Sequence, residues 1–429
     1  MGLQTVVAQP PQAVRHAVAI PSEYAEGAEH GLSRRIIANR FEEETRNMMD
    51  KLGHWTLRTS QDVEIEVSET PRLLDPANPR LAQIPGGGEE SGTRLVIVDE
   101  HVEEIFGQRI REYFSTRGAQ VSYLTLPAGD EHKTIDNVLR IASRFNEIGT
   151  ERTGTPPIVM GGGVVQDVAG LAATLYRRGI PYVRVPTTLL GQIDGSVSAK
   201  NGVNFEGFRN RLGTFNPPPV TLIDRTLIAS LPERQVQSGL GEALKMALIK
   251  DAELFRLLEE YGPDLVSERL QDTGPRTSGP EAGRQVMHRA ITGMAEELEK
   301  NLWERDLLRI VDYGHTFSPA VEMRALPDLL HGEAVAMGCL FCAVISAHRG
   351  LLSQEDLDRI VGCVRRMGLH PSHPMFSDVA LLRKGLADTV RHRGGAQHLT
   401  LLTDIGQTVF VEDLTDSEID GAAHWMGAL

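Results

Sequence analysis

The chain has 429 residues, too many for one small core, so two domains are expected. Apolar residues make up 41% and charged residues 24%, an ordinary globular composition. With 44 basic against 58 acidic side chains the net charge is −14, which argues against general nucleic-acid binding but allows a local basic pocket for a small phosphorylated ligand.

Residues 1–32, rich in alanine, proline and small polar residues, predict a loose arm with no targeting pattern. SRRIIANRFEEETRNMMDKL (33–52) has moderate helical periodicity, and DVEIEV (62–67) alternates like a half-buried strand. A Pro/Gly-rich connector over 76–92 leads into RLVIVDE. From there strands and helices alternate: RLVIVDE, the amphipathic HVEEIFGQRIREYF, QVSYLTL, a helix from Ile135 to Ile148, PPIVM running into GGG, a helix, PYVRVPTT and PVTLID. That order predicts a mostly parallel sheet with helices on its faces. Beyond about Arg225 the pattern turns helical, as in ERQVQSGLGEALKMALI and HGEAVAMGCLFCAVISAHRG, with the loop QDTGPRTSGPEAG and a late hairpin, HLTLLTDIGQTVFVED. The reading is an arm (1–55), an α/β nucleotide-binding domain (56–225) and a helical domain (226–429), with a site favoured in the cleft between the last two. Cys339, Cys342 and Cys363 lack a second CxxC pair and read as buried free thiols. No segment reaches a bilayer-spanning apolar length, so a soluble, cytoplasmic protein is expected.

Several strand ends carry ligand chemistry. IVMGGGVVQDVAG enters a helix through three glycines, where close backbone approach and free N–H groups suit a pyrophosphate. It is not the standard G-x-G-x-x-G, and alone it is equally a tight turn. Asp99 closes RLVIVDE, and Thr187 and Thr188 close VRVPTT; ligands of open α/β sheets collect at such ends, which favours a dinucleotide. His315 (YGHTF) and His331 (LLHGEAV) lie sixteen positions apart, each beside a glycine. Glu242, three residues before Lys245, reads by itself as half of a solvated surface pair. Its neighbours are apolar or small, however, and a buried carboxylate needs a cation. Glu242, His315 and His331 would form a two-histidine, one-carboxylate metal site with open positions, as a catalytic zinc requires.

Read together, GGGVVQD, RVPTTLLGQIDGSVSAKNGVN, LPERQVQSGLGEALK, GHTF and LHGEAV resemble, in order, the sugar phosphate cyclases, the family of dehydroquinate synthase, from about Asp99 to about His398. The resemblance implies NAD beside a divalent metal, Zn²⁺ or Co²⁺, on Glu242, His315 and His331. It implies NAD contacts from Asp99, Asp130, Lys133, Gly162, Gly163, Asp167, Thr187, Thr188 and Leu190. Asp194, Lys200 and Lys245 would be catalytic, and Arg209 and Asn210 would face the substrate. Arg178 would reach the substrate phosphate of the neighbouring subunit, which implies a homodimer. The implied reaction is transient oxidation at C5, loss of phosphate by β-elimination, return of the hydride and aldol closure.

Departures from dehydroquinate synthase narrow the substrate. LRIVDYGHTFSP has Leu308 for arginine, Asp312 for asparagine and Pro319 for histidine. Met294 and His392 stand where lysines are expected. Loss of donors and gain of Asp312 would leave a substrate carboxylate poorly paired, whereas Asp312 could accept a hydrogen bond from a hydroxymethyl group. Leu298, Asp312, Pro319 and His392 together resemble the cyclases of sedoheptulose 7-phosphate that make 2-epi-5-epi-valiolone for C7-cyclitol natural products. The alternatives are 2-epi-valiolone or desmethyl-4-deoxygadusol synthesis, then dehydroquinate synthesis, then a simple NAD- and metal-dependent alcohol dehydrogenase.

Overall fold

The strands of the first part, in chain order, are β1 (Glu66–Glu69), β2 (Arg94–Asp99), β3 (Val121–Leu126), β4 (Ile158–Gly161), β5 (Val183–Pro186), β6 (Lys200–Phe205), β7 (Phe208–Phe215) and β8 (Val220–Ile223). This computed structural model describes residues 55–60, 62–84, 93–325 and 327–429, so the expected arm and the helix at 33–52 lie outside the described residues. Residues up to Val63 form a unit of their own, whose described part carries no helix or strand. Everything below concerns the unit 64–429.

Six strands pair in the order β1-β8-β5-β4-β2-β3, all parallel. β2 shows why: all but the last residue of RLVIVD is buried, the mark of a strand covered on both faces. Val96 and Val98 join Phe106, Ile110 and Phe114 of α1 (Glu100–Thr116) in one core. Leu95 and Ile97 point the other way, toward Ile141 and Phe145 of α2 (Ile135–Glu147) and Val168 and Ala172 of α3 (Gly163–Leu175). The strand expected at 62–67 is β1, begun four residues later, where the edge finds its partner in β8. One element was not foreseen. β6 and β7 form an antiparallel hairpin through Glu206 and Gly207, both at positive φ (50° and 76°). A two-residue turn ending in glycine was its available signal.

The second part is helical: α4 (Glu233–Ile249), α5 (Ala252–Ser267), α6 (Ala282–Asn301), α7 (Ser318–Ala325), α8 (His331–His348), α9 (Gln354–Arg366), α10 (Val379–His392) and α11 (Asp416–Gly427), with the expected hairpin β9 (Leu399–Asp404)–β10 (Gln407–Val411). α8 runs through the centre of the core, and nearly every residue from Gly332 to Ser346 is buried. Contrary to expectation, α8 is long and apolar enough to cross a membrane, but 83% of that window is buried inside the protein. Cys339, Cys342 and Cys363 are buried and unpaired. α4 crosses α8 with almost no room: a Cβ on Gly332 would sit 1.7 Å from the Ser238 carbonyl oxygen, and one on Gly241 2.1 Å from that of Gly332. That crossing sets up the site.

Candidate active site

Glu242 lies mid-way along α4, and His331 is the first residue of α8. Because α4 and α8 meet backbone to backbone, Glu242 Oε1 lies 3.1 Å from His331 Nε2 and 3.6 Å from His315 Nε2. His315 arrives on the loop before α7. The preceding Gly314 has φ 79°, and a Cβ there would lie 2.8 Å from Cys339 Sγ and 2.9 Å from its amide nitrogen. The glycine beside each histidine is thus what lets its backbone press against a neighbouring helix. One ligand atom from each of Glu242, His315 and His331 lies within 4.8 Å of the others.

The donor set fits a divalent cation. Both Glu242 carboxylate oxygens are buried without a hydrogen bond, and the Lys245 ammonium stands 2.7 Å from Oε2 as an ion pair. Both members of this pair are buried, so the surface reading of it fails. Burial and the Lys245 charge lower the His315 pKa to about 4, leaving a neutral ring. Burial also opposes charge on His331, but Glu322 outweighs it and raises the pKa to about 9. His331 Nδ1 donates to Glu322 Oε2 at 3.0 Å, so its other nitrogen faces Glu242. Glu322 is buried and also pairs with Arg209. A carboxylate behind a histidine ligand is the arrangement that fixes the ring's tautomer at metal sites. Glu322 was missed in the sequence, where it is one more acid in a short helix.

The chain leaves β2 for β3 on one side and returns to β4 on the other, so β2 and β4 flank the switch point of the sheet. Gly162 caps α3 there with no side-chain bond, so the first N–H groups of the helix, beginning at Gly163, have no side-chain cap. Asp99 accepts from Val102 N (2.9 Å) and borders the loop, with Oδ2 3.4 Å from Gly162 N. Thr187 N donates to Gly161 O at 3.0 Å. Thr188 Oγ1 accepts from Gly191 N at 3.1 Å, opening the short helical turn (Gly191–Gly195) after Leu190. Lys133 Nζ reaches both Asp167 and Asn210 at 2.5 Å. Asp130 pairs with Arg209 at 3.3 Å and accepts from Asn204. These residues form one cluster, but Arg209 and Asn210, expected to face substrate, are engaged with the chain itself.

The turn at Gly191–Gly195 holds Asp194, and β6 begins at Lys200. Burial drives the Asp194 pKa up, against the pull of Lys245. Arg184 of β5, fully buried, donates to Gly195 O (2.8 Å), Ser198 O (2.6 Å), Lys200 O (3.2 Å) and Asn201 Oδ1 (2.7 Å). It ties the segment between Asp194 and Lys200 to the sheet. Sequence reading passed over it as one strand residue.

Arg178 is exposed, with φ 64°, just past the far end of α3. Thirteen residues, about 20 Å of helix, separate that end from the glycine loop, so Arg178 does not join the cluster of its own chain. Leu298 and Met294 are packed in the helical core. Pro319 is exposed in the first turn of α7, and Leu308 is 45% exposed. The His392 side chain lies outside the described residues.

One expectation is corrected. Asp312 is not an isolated acceptor in a pocket stripped of cations. Arg309 meets it through two nitrogens (3.1 and 2.5 Å), and Arg393 Nη2 donates to it at 2.7 Å. Burial works against its charge, but Arg309 and Arg393 hold it below the ordinary carboxylate value. Two arginines brought in from either side of the metal-site loop were not visible as its partners in the sequence.

A parallel sheet with an uncapped glycine-entered helix at its switch point, beside a two-histidine, one-carboxylate cluster, defines a metal- and nucleotide-dependent enzyme class. Comparison with known proteins makes this specific. Residues 123–238 match the 3-dehydroquinate synthase N-terminal family and residues 239–388 its C-terminal family. A 2-epi-5-epi-valiolone synthase of Streptomyces hygroscopicus subsp. jinggangensis (strain 5008) is 45% identical over 86% of this chain and 88% of its own. Another so named, from Actinoplanes sp. (strain ATCC 31044 / CBS 674.73 / SE50/110), is 46% identical over 86% of this chain and 92% of its own. The solved structure of ValA, the 2-epi-5-epi-valiolone synthase from Streptomyces hygroscopicus subsp. jinggangensis 5008 with NAD⁺ and Zn²⁺ bound, superposes with a TM-score of 0.82 at 43% identity, covering 87% of this chain and 99% of that one. The chain belongs to the dehydroquinate synthase-like family of sugar phosphate cyclases.

Proposed function

We propose that the protein is a 2-epi-5-epi-valiolone synthase, a carbon–oxygen lyase that cyclises sedoheptulose 7-phosphate with loss of phosphate, using NAD and Zn²⁺. The observation that carries this reading is the likeness, over nearly the full length of the relatives, to enzymes of that name. When bound, NAD supplies the temporary hydride acceptor and the metal a Lewis acid that lowers the pKa of a substrate hydroxyl.

The chain's own residues supply position and charge. Glu242, His315 and His331 hold the metal, with Glu322 orienting His331. Asp99, Gly162, Gly163, Thr187, Thr188 and Leu190 line the nicotinamide-nucleotide side, with Asp130, Lys133 and Asp167 behind them. Asp194, half-buried, within the field of Lys245 and raised in pKa, takes the proton of the oxidised hydroxyl. Lys200 and Lys245 meet the phosphate and the sugar oxygens, and Arg178 completes the phosphate site of a second subunit in a homodimer. The setting is a cytoplasmic C7-cyclitol antibiotic pathway.

The test is phosphate release from sedoheptulose 7-phosphate with no accumulated NADH, followed by NMR of the product. Net NADH formation would instead mark a simple dehydrogenase. Another epimer, or desmethyl-4-deoxygadusol, would place the chain elsewhere among these cyclases.

A further inference from the structure

The loop that delivers His315 carries a charge arrangement of which the proposed reaction uses only Lys200. Five side chains alternate in sign from β6 to the end of α10: Lys200, Glu304, Arg309, Asp312 and Arg393. Lys200 Nζ lies 2.5 Å from Glu304 Oε1, and Arg309 Nη1 pairs with the same oxygen. On its other side Arg309 grips Asp312 with two nitrogens, and Arg393 closes on Asp312 Oδ2 from across the loop. Arg393 is itself fixed by donating to His398 O at 2.8 Å. Glu304 holds its place at φ 49°, a conformation that costs a non-glycine residue about 1 kcal/mol or more. Lys200 is half exposed at 53%, while the other four side chains lie between 7% and 17%.

Guanidinium groups converging on one carboxylate, one of them two-pronged, are how proteins recognise carboxylate ligands. Here the carboxylate belongs to the chain. We infer that Arg309 and Arg393 form a carboxylate site that Asp312 fills from within, so the enzyme refuses an acidic ketose phosphate because its cations are occupied and not because they are missing. Glu304 repeats the device one step along. Three cations against two carboxylates leave a single positive surplus, and the exposed member of the row, Lys200, is the one placed to offer it. Arg309, Arg393 and Glu304 are thereby specificity-determining residues, although none of them is a metal or cofactor ligand. An acid brought against this row would meet Asp312 as a like charge, with both guanidiniums already paired.

This inference rests on the reading of the site as a sugar phosphate cyclase, and its test is separate from turnover. Asp312→Asn and Asp312→Ser each remove the charge, and both are prepared so that one folded variant suffices. Calorimetry on the zinc-loaded enzyme with NADH in place of NAD, so that no oxidation can begin, compares 3-deoxy-arabino-heptulosonate 7-phosphate, which carries a carboxylate, with sedoheptulose 7-phosphate, which does not. The ratio of the two dissociation constants should move toward the acid by about tenfold or more, one tenfold step in affinity being the effect of a single unmasked ion pair. Adding Arg309→Gln should cancel the gain. An unchanged ratio in a folded variant, or a gain that survives loss of both Arg309 and Arg393, overturns the inference. Phosphate release by the unaltered enzyme reports on the reaction reading alone, so the two can fail independently.

Discussion

Replacing Glu322 with glutamine tests whether a residue outside the proposed ligand set, acting through His331, governs metal affinity. Glu322 is buried and meets two partners, His331 at 3.0 Å and Arg209. Burial opposes its charge, yet His331 and Arg209 lower its pKa from 4.5 to about 2. The matching rise of His331 from 6.5 to about 9 is of the same size. Each shift is what remains after burial has opposed the charge, so in both groups the attraction of the neighbouring charges outweighs desolvation. With a metal on Nε2 the ring is neutral, and a glutamine oxygen can still accept from Nδ1. The expected loss is therefore the difference between a charge-assisted and a neutral hydrogen bond, about 1–2 kcal/mol, or roughly ten- to thirtyfold in metal affinity. Chelator competition at pH 7.5 measures it, with thermal melting of the metal-free protein as the control for folding. Saturating zinc should restore most of the activity. Wild-type metal affinity in a folded Glu322→Gln protein would refute the argument that this carboxylate sets the orientation and basicity of His331.

Four further outcomes are expected. Zinc uptake by the metal-free protein at pH 7.5 should release about one proton, because His331 titrates at about 9 and must lose its proton while His315, at about 4, is already neutral; calorimetry in buffers of different ionisation enthalpy counts it, and none or two would contradict the assignment. In that metal-free protein the raised His331 contributes stability that is complete below its ordinary 6.5 and disappears as pH climbs through about 9, so the melting temperature should fall across that interval. Gly332→Ala puts a methyl 1.7 Å from the Ser238 carbonyl oxygen and should cost about 3 kcal/mol, together with metal content, in denaturant melts; a neutral effect would mean that the α4–α8 crossing is not as close as described. Mixing Arg178→Ala with Lys200→Ala subunits should regenerate some activity if Arg178 serves the neighbouring site, and no recovery after confirmed subunit exchange would count against that sharing.

The sequence by itself determined the parallel sheet, the helical second part and the candidate trio of Glu242, His315 and His331 that the fold brings together. β2 and β4 are continuous apolar runs because both their faces are covered, and that local signature survives without any knowledge of neighbours. Glu242, His315 and His331 were legible because the residue types that bind a metal are few and each stood in an apolar or glycine-flanked context. The β6–β7 hairpin was less legible, since β7 is mostly exposed and neither strand alternates cleanly; only Glu206–Gly207 marked it. Tertiary structure alone decided which charges meet. Glu322 and His331 are nine residues apart and Arg209 far upstream, so nothing in a local window says that they neutralise one another. Asp312 shows the same limit more sharply. Read in the chain it was a new negative charge in a pocket that had lost its cations; folded, it lies between Arg309, three residues before it, and Arg393, eighty-one residues after it. Electrostatic interaction depends on distance and burial in three dimensions, and neither is encoded at the positions that carry the charge.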